Sequence, residues 1–259
     1  MHWTEYFCEF IGTAIHIFAG LMGIYLVSLV NVADIVKFFV IGLFFAIGLC
    51  VVVYSPLGKR SGGHLNPAVT VAFWLNGLMR GIDAGCYIVA QFAGAVLGAW
   101  VAFAIFDWKN LSAALALPGT DASLPLVLLV EFVIVFALII AIFSFVSSGK
   151  SGRFTGIAIG IYVIMVTVLF AAVSGAGLNP ARSLGPALLL FRFDYILIYF
   201  TASVLGAFAA YGLFRGATRG TQPVCCKLCY KTDEQCLFKC NCEFKPLPET
   251  VNSYKDVLL

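Results

Sequence analysis

The chain is built from long apolar runs separated by short polar breaks. The runs cover about residues 6–30, 36–54, 84–106, 124–145, 154–173 and 195–213. A hydrocarbon core of about 30 Å is crossed by roughly 20 helical residues, so the pattern predicts an all-α membrane protein with six spanning helices. Two stretches fit neither a plain loop nor a plain span: SGGHLNPAVTVAFWLNG between the second and third runs, and SGAGLNPARSLGPALLLF between the fifth and sixth. Each carries roughly ten apolar-leaning residues after an Asn-Pro pair, a helix of about 15 Å, half the membrane. Non-helical backbone at membrane depth survives only against protein or a water-filled cavity. The expectation is two re-entrant half-helices, one from each face, meeting near the midplane.

Composition narrows the class. Of 259 residues, 61% are hydrophobic and 11% charged, against roughly 25% charged in soluble domains, which excludes a soluble or disordered chain. The net charge of +3 is too small to argue for nucleic acid. The opening MHWTEYFCEF has neither a basic region nor a small-residue cleavage site, so the first span is expected to act as its own insertion signal. Loop lysines and arginines (Lys59, Arg60, Arg80, Lys150, Arg153 and the basic tail) place both termini in the cytoplasm. Asn110 then opens an N-glycosylation sequon in an outer loop. Glycines at Gly94 and Gly98, and at Gly156 and Gly160, have the spacing of close helix contacts.

The chain also repeats itself. Glu9-Phe10 and Glu131-Phe132 each precede an apolar run, and Leu65-Asn66-Pro67-Ala68 is matched by Leu178-Asn179-Pro180-Ala181. From glutamate to asparagine the spacing is 57 residues in one copy and 48 in the other. Three spans per copy turn the second copy upside down, and inverted repeats place their shared site near the midplane on broken helices. Asparagine is a good N-cap and proline suits the first helical position, so each Asn-Pro reads as a helix start. Two starts facing each other would aim two positive dipole ends at one spot. Neutral water could pass there while cations and hydronium are opposed, a mode of selectivity known for half-helix pores.

Paired GGHLNPAVT and GAGLNPARS segments in a six-span inverted repeat, each half opening on Glu-Phe, resemble the aquaporin family of major intrinsic proteins. The resemblance runs from about residue 5 to 213 and divides the chain into a channel domain, 1–214 (repeats about 5–106 and 124–213), and a cysteine-rich tail, 215–259. It implies a passive channel for water and small uncharged solutes, assembled as a homotetramer in the lipid bilayer, with Asn66, Pro67, Ala68, Asn179, Pro180 and Ala181 at the pore centre. It implies a filter of Arg182, Thr167, Ala176 and one residue of span two. Ungapped counting gives Ala46, but YSPLGKRSGG looks one residue longer than usual, which gives Phe45, the choice made here. Strict water channels of the family carry histidine where Thr167 stands, so the filter should be wider and open to ammonia, urea, hydrogen peroxide or glycerol. Ser183, where glycerol facilitators have aspartate, argues against a dedicated glycerol pore. Glu9 and Glu131 are implied to hold the loops before the half-helices, and His64 to line the inner vestibule. His16 reads as a packed or lipid-edge residue.

Six of nine cysteines crowd the tail, CCKLCYKTDEQCLFKCNC. Cys225 and Cys226, near the last span and beside lysines, suit palmitoylation, and Cys226-x-x-Cys229 has a spacing compatible with zinc. No cofactor or metal is expected. Gly149-Lys150-Ser151 resembles the end of a phosphate loop, but Ser144 stands where its first glycine must be. Proton coupling would need titratable groups along the path. The alternative from another class is a poorly conducting structural or adhesion protein of the same fold.

Overall fold

The computed structural model of the chain describes residues 1–108, 111–148, 151–219, 223 and 225–229. The helices in chain order are α1 (Trp3–Ser28), α2 (Asp34–Tyr54), α3 (Pro56–Ser61), α4 (Pro67–Leu75), α5 (Gly81–Ile105), α6 (Leu124–Val146), α7 (Thr155–Ser174), α8 (Pro180–Leu190) and α9 (Ile196–Ala217). Six of them (α1, α2, α5, α6, α7 and α9) are long and apolar enough to cross a membrane. The short helices α4 and α8 are the two half-spans expected after the Asn-Pro pairs. Among the described residues there is no strand.

The packing repeats with the sequence. In the first half α1 packs on α2 and α5; in the second α6 packs on α7 and α9. Each half-helix also crosses into the other repeat, α8 against α5 and α4 against α9, while α2 meets α7 along the seam. Gly94 and Gly98 let α5 lie directly on the backbone carbonyls of Phe10 and Ala14 in α1, where any side chain would collide. Gly156 and Gly160 bring α7 close to α2 as well, there against the side chains of Val53, Tyr54 and Cys50. Outward faces carry exposed Val51, Val89, Trp100, Leu129, Ile161 and Leu197. Such an apolar girdle is what a hydrocarbon solvent requires of a chain whose backbone is satisfied within its helices.

One end of the bundle carries His2, the α2–α3 corner and the tail segment Cys225–Cys229. Here His2 and Tyr6 reach Asp83, Arg60 pairs with Glu5, and Leu228 N–H bonds to Gly62 O. This end is called the terminal face below. α4 enters from it and α8 from the opposite face.

Candidate functional site

Each half-helix is started by its own asparagine. Asn66 Oδ1 accepts from Ala68 N–H at 2.9 Å, and Asn179 Oδ1 accepts from Ala181 N–H at 2.9 Å, with proline in the first turn of both. With the oxygen so engaged, each amide nitrogen points away from its helix. Asn66 Nδ2 donates to Leu178 O at 3.1 Å and Asn179 Nδ2 to Leu65 O at 2.8 Å. The two helix starts are therefore tied tip to tip by a reciprocal pair of bonds. Four N-terminal backbone donors are left over at each start of a helix, and here both sets converge on one place.

The loops leading to these tips repeat an unusual backbone. Gly62, Gly63 and Leu65 have φ of +101°, +66° and +52°; Gly175, Ala176 and Leu178 have +78°, +46° and +53°. Left-handed conformations cost a residue with a side chain about 1–3 kcal/mol unless the surroundings over-determine them. Two buried carboxylates supply that constraint. Glu9 accepts from Ser61 Oγ (2.7 Å), His64 N–H (3.0 Å), Leu65 N–H (2.8 Å) and Gln91 Nε2 (2.7 Å). Glu131 accepts from Gly177 N–H (2.8 Å) and Leu178 N–H (3.0 Å). Tyrosines complete the pattern: Tyr87 donates to Ser61 O at 2.7 Å and Tyr199 to Ser174 O at 2.6 Å. The glutamates thus fix the loop N–H groups, while Leu65 O and Leu178 O receive the two asparagine amides.

Along these tips runs a cavity of about 290 Å³, lined by Asn66, Asn179, His64, Gly175, Ala176 and Leu178 among others. Towards the opposite face it is walled by Phe45, Thr167, Arg182 and His16. Arg182 is 7% exposed, donates to Ala114 O at 3.3 Å, and has its guanidinium carbon 5.7 Å from the Phe45 ring centre. Thr167 gives its hydroxyl proton to Val163 O on its own helix at 2.7 Å, so it offers the cavity only acceptor lone pairs and a methyl group. Phe45 lines the cavity, whereas Ala46 packs towards Gly160 of α7. His64 also lies on the wall, with Nδ1 3.1 Å from Thr70 Oγ1 and its ring 4.9 Å from that of Phe73.

Several residues of this site were not anticipated from the chain. His16 faces the cavity, its ring centre 5.5 Å from that of Phe45; the signal was its place two helical turns after Glu9, on the same face of α1. Gln91 links Glu9 to Thr70. Tyr87 and Tyr199 sit about twenty residues after the two asparagines, a register the repeat could have supplied. Cys225 and Cys226 are 2% and 0% exposed against the terminal end of the pore. Asn110, Cys236, Cys240 and Cys242 lie outside the described residues. Among the described residues no three His, Cys, Asp or Glu side chains are grouped to hold a metal ion.

Comparison with known proteins agrees with this geometry. The family model described as "Major intrinsic protein" matches residues 1–214. The chain is 35% identical over 203 residues to Nodulin-26 of Glycine max, spanning 78% of this chain and 73% of that one. It is 32% identical to the lens fiber major intrinsic protein of Ovis aries (79% and 77% covered) and 32% identical to glycerol uptake facilitator protein-like 6 of Lactiplantibacillus plantarum (80% and 96%). The X-ray structure of the aquaglyceroporin from Plasmodium falciparum has the same fold, with a TM-score of 0.74 at 18% identity over 83% of this chain and 96% of that one.

Proposed function

Because the chain belongs to the major intrinsic protein family, whose members are membrane channels for water and small solutes, we propose that it passes water and small uncharged solutes such as ammonia, urea and hydrogen peroxide, and excludes ions and protons. It is a multi-pass membrane protein, and we place its terminal face in the cytoplasm and four copies in the assembly, each with its own pore. The observation that carries the reading is the pair of half-helix starts locked tip to tip on the wall of a continuous cavity.

In this reading a water at the centre turns its oxygen to the amide nitrogens of Asn66 and Asn179. Both helix dipoles, each equivalent to roughly half a positive charge, then oppose a cation or hydronium at that point. The same water has its hydrogens directed outward along the pore, which interrupts a proton wire. Arg182 adds a second positive barrier at the narrow end and donates to the permeant. The carbonyls fixed by Glu9 and Glu131 give dehydrating solutes a ladder of acceptors. Thr167, lacking a ring, leaves room for solutes larger than water. Vesicles reconstituted with the protein should swell in a urea gradient, and Thr167→His should suppress that swelling while sparing water flux. Urea uptake equal to that of empty vesicles would restrict the pore to water.

A further inference from the structure

We propose that His16 is a selectivity-determining residue of the filter, supplying from α1 the ring that Thr167 does not. Its side chain is 7% exposed and borders the same cavity as Phe45, Thr167 and Arg182. It reaches that place because Gly48 of α2 lets the helices close: a side chain at Gly48 would press on the His16 backbone and on Ala19. The ring meets Phe45 edge-on at 5.5 Å, and Phe45 in turn lies under Arg182 at 5.7 Å. Nδ1 is buried with no hydrogen-bond partner in the protein. Leaving such an atom unmet costs about 1–3 kcal/mol, so the ring holds its place at the constriction by packing against Phe45 rather than by a bond from Nδ1. His16 therefore narrows the constriction with its ring.

This rests on the channel reading, and the test separates the two. Water and urea permeabilities are measured by stopped-flow light scattering in proteoliposomes carrying the full chain, His16→Ala or His16→Phe. His16→Ala should raise urea relative to water by about tenfold, the discrimination that one lost small-group contact confers, and should admit glycerol. His16→Phe keeps the bulk, so its urea-to-water ratio should stay near that of the parent. An unchanged urea-to-water ratio in His16→Ala overturns the role of His16, and a ratio in His16→Phe as high as in His16→Ala overturns the steric basis. A wild-type chain with no water flux above empty vesicles overturns the channel reading itself.

A separate observation concerns the tail. We infer that the segment Cys225–Cys229 is a stopper for the terminal mouth of the pore. Its residues are 0–8% exposed, although they follow the last span by several residues and belong to the polar part of the chain. Among the bonds that hold it are Leu228 N–H to Gly62 O at 2.9 Å, His64 Nε2 to Cys226 O at 2.8 Å, and Lys227 Nζ to Lys59 O at 2.7 Å. A carbonyl only accepts, so His64 carries its proton on Nε2 in this contact. Nδ1 can then accept from the Thr70 hydroxyl, which itself accepts from Gln91. Leu228 borders the pore cavity and is 1% exposed. The segment thus occupies Gly62 O and the His64 ring, two polar groups that water entering the vestibule would use, and sets a leucine in their place. A thiol buried as Cys226 is cannot be acylated where it lies, so palmitoylation of Cys225 or Cys226 and the docked stopper exclude each other.

The test uses full-length chains with Leu228→Asp, or with Leu228→Asp and Lys227→Glu together, since a carboxylate in that site is costly without a partner. Per-channel water permeability is read beside the rate of maleimide labelling at Cys226, located by peptide mass spectrometry. The variants should conduct several-fold faster than the parent and label Cys226 several-fold faster. Faster labelling with equal flux means that the segment docks without obstructing, and equal labelling means that it does not dock; either result overturns the stopper. If neither parent nor variants pass water, the channel reading falls and the stopper with it.

Discussion

Replacing Glu131 with glutamine tests how the second half-helix is held. The carboxylate accepts from Gly177 and Leu178 N–H through separate oxygens. Glutamine keeps one oxygen and sets an NH₂ group against the other N–H, so one buried backbone donor loses its acceptor and faces a donor instead. Such a loss costs about 1–3 kcal/mol, towards the upper end when the acceptor was charged. Neutralising a buried carboxylate returns part of its desolvation penalty. The backbone bond is the larger effect here, because Leu178 is held at φ +53° next to the filter loop and relaxes once the bond is gone. The net expectation is a loss of about 2 kcal/mol and a lower water flux, since Leu178 O also receives Asn179's counterpart, Asn66. Thermal unfolding in detergent, followed by fluorescence, reads the first; stopped-flow shrinkage reads the second. A Glu131→Gln protein with unchanged melting temperature and unchanged flux would refute the buttressing role, and Glu131→Leu should be worse on both counts.

Other substitutions follow from the same contacts. Gly98→Leu drives a side chain into the Ala14 carbonyl and should cost at least the ~1–3 kcal/mol of an overpacked core, seen as loss of folded protein on size exclusion. Gly85→Ala, where an added Cβ meets nothing, should instead stabilise α5 by up to about 1 kcal/mol, read as a higher melting temperature. Arg182→Val removes the charge beside Phe45 and Ala114 and should let cations or protons leak, visible with an entrapped pH dye.

The spans were legible because a membrane imposes length and apolarity on each helix, and the half-helices because an Asn-Pro start followed by ten apolar residues can do little else. The reciprocal Asn66–Leu178 and Asn179–Leu65 bonds were implicit in the doubled motif. His16 was not legible as a filter residue: apolarity has almost no periodic contrast on α1, where lipid-facing and buried positions are both hydrophobic, and only its register with Glu9 marked the inner face. Phe45 against Ala46 turned on one inserted residue in YSPLGKRSGG; in the structure Phe45 borders the cavity while Ala46 packs towards Gly160. The docked tail was invisible for a different reason. Each of its contacts to Gly62, His64 and Lys59 ends on a backbone carbonyl, an acceptor that every residue type supplies, and thiols and lysines suggested lipid instead.

The most direct test of the account is simultaneous stopped-flow recording of osmotic shrinkage and internal pH in proteoliposomes carrying the full chain, with the Leu228→Asp chain alongside. The account predicts shrinkage faster than in empty vesicles, fastest for Leu228→Asp, with no proton flux in either. Folded protein that shrinks no faster than empty vesicles in both cases, or that carries protons together with water, would contradict it and leave a structural membrane protein in its place.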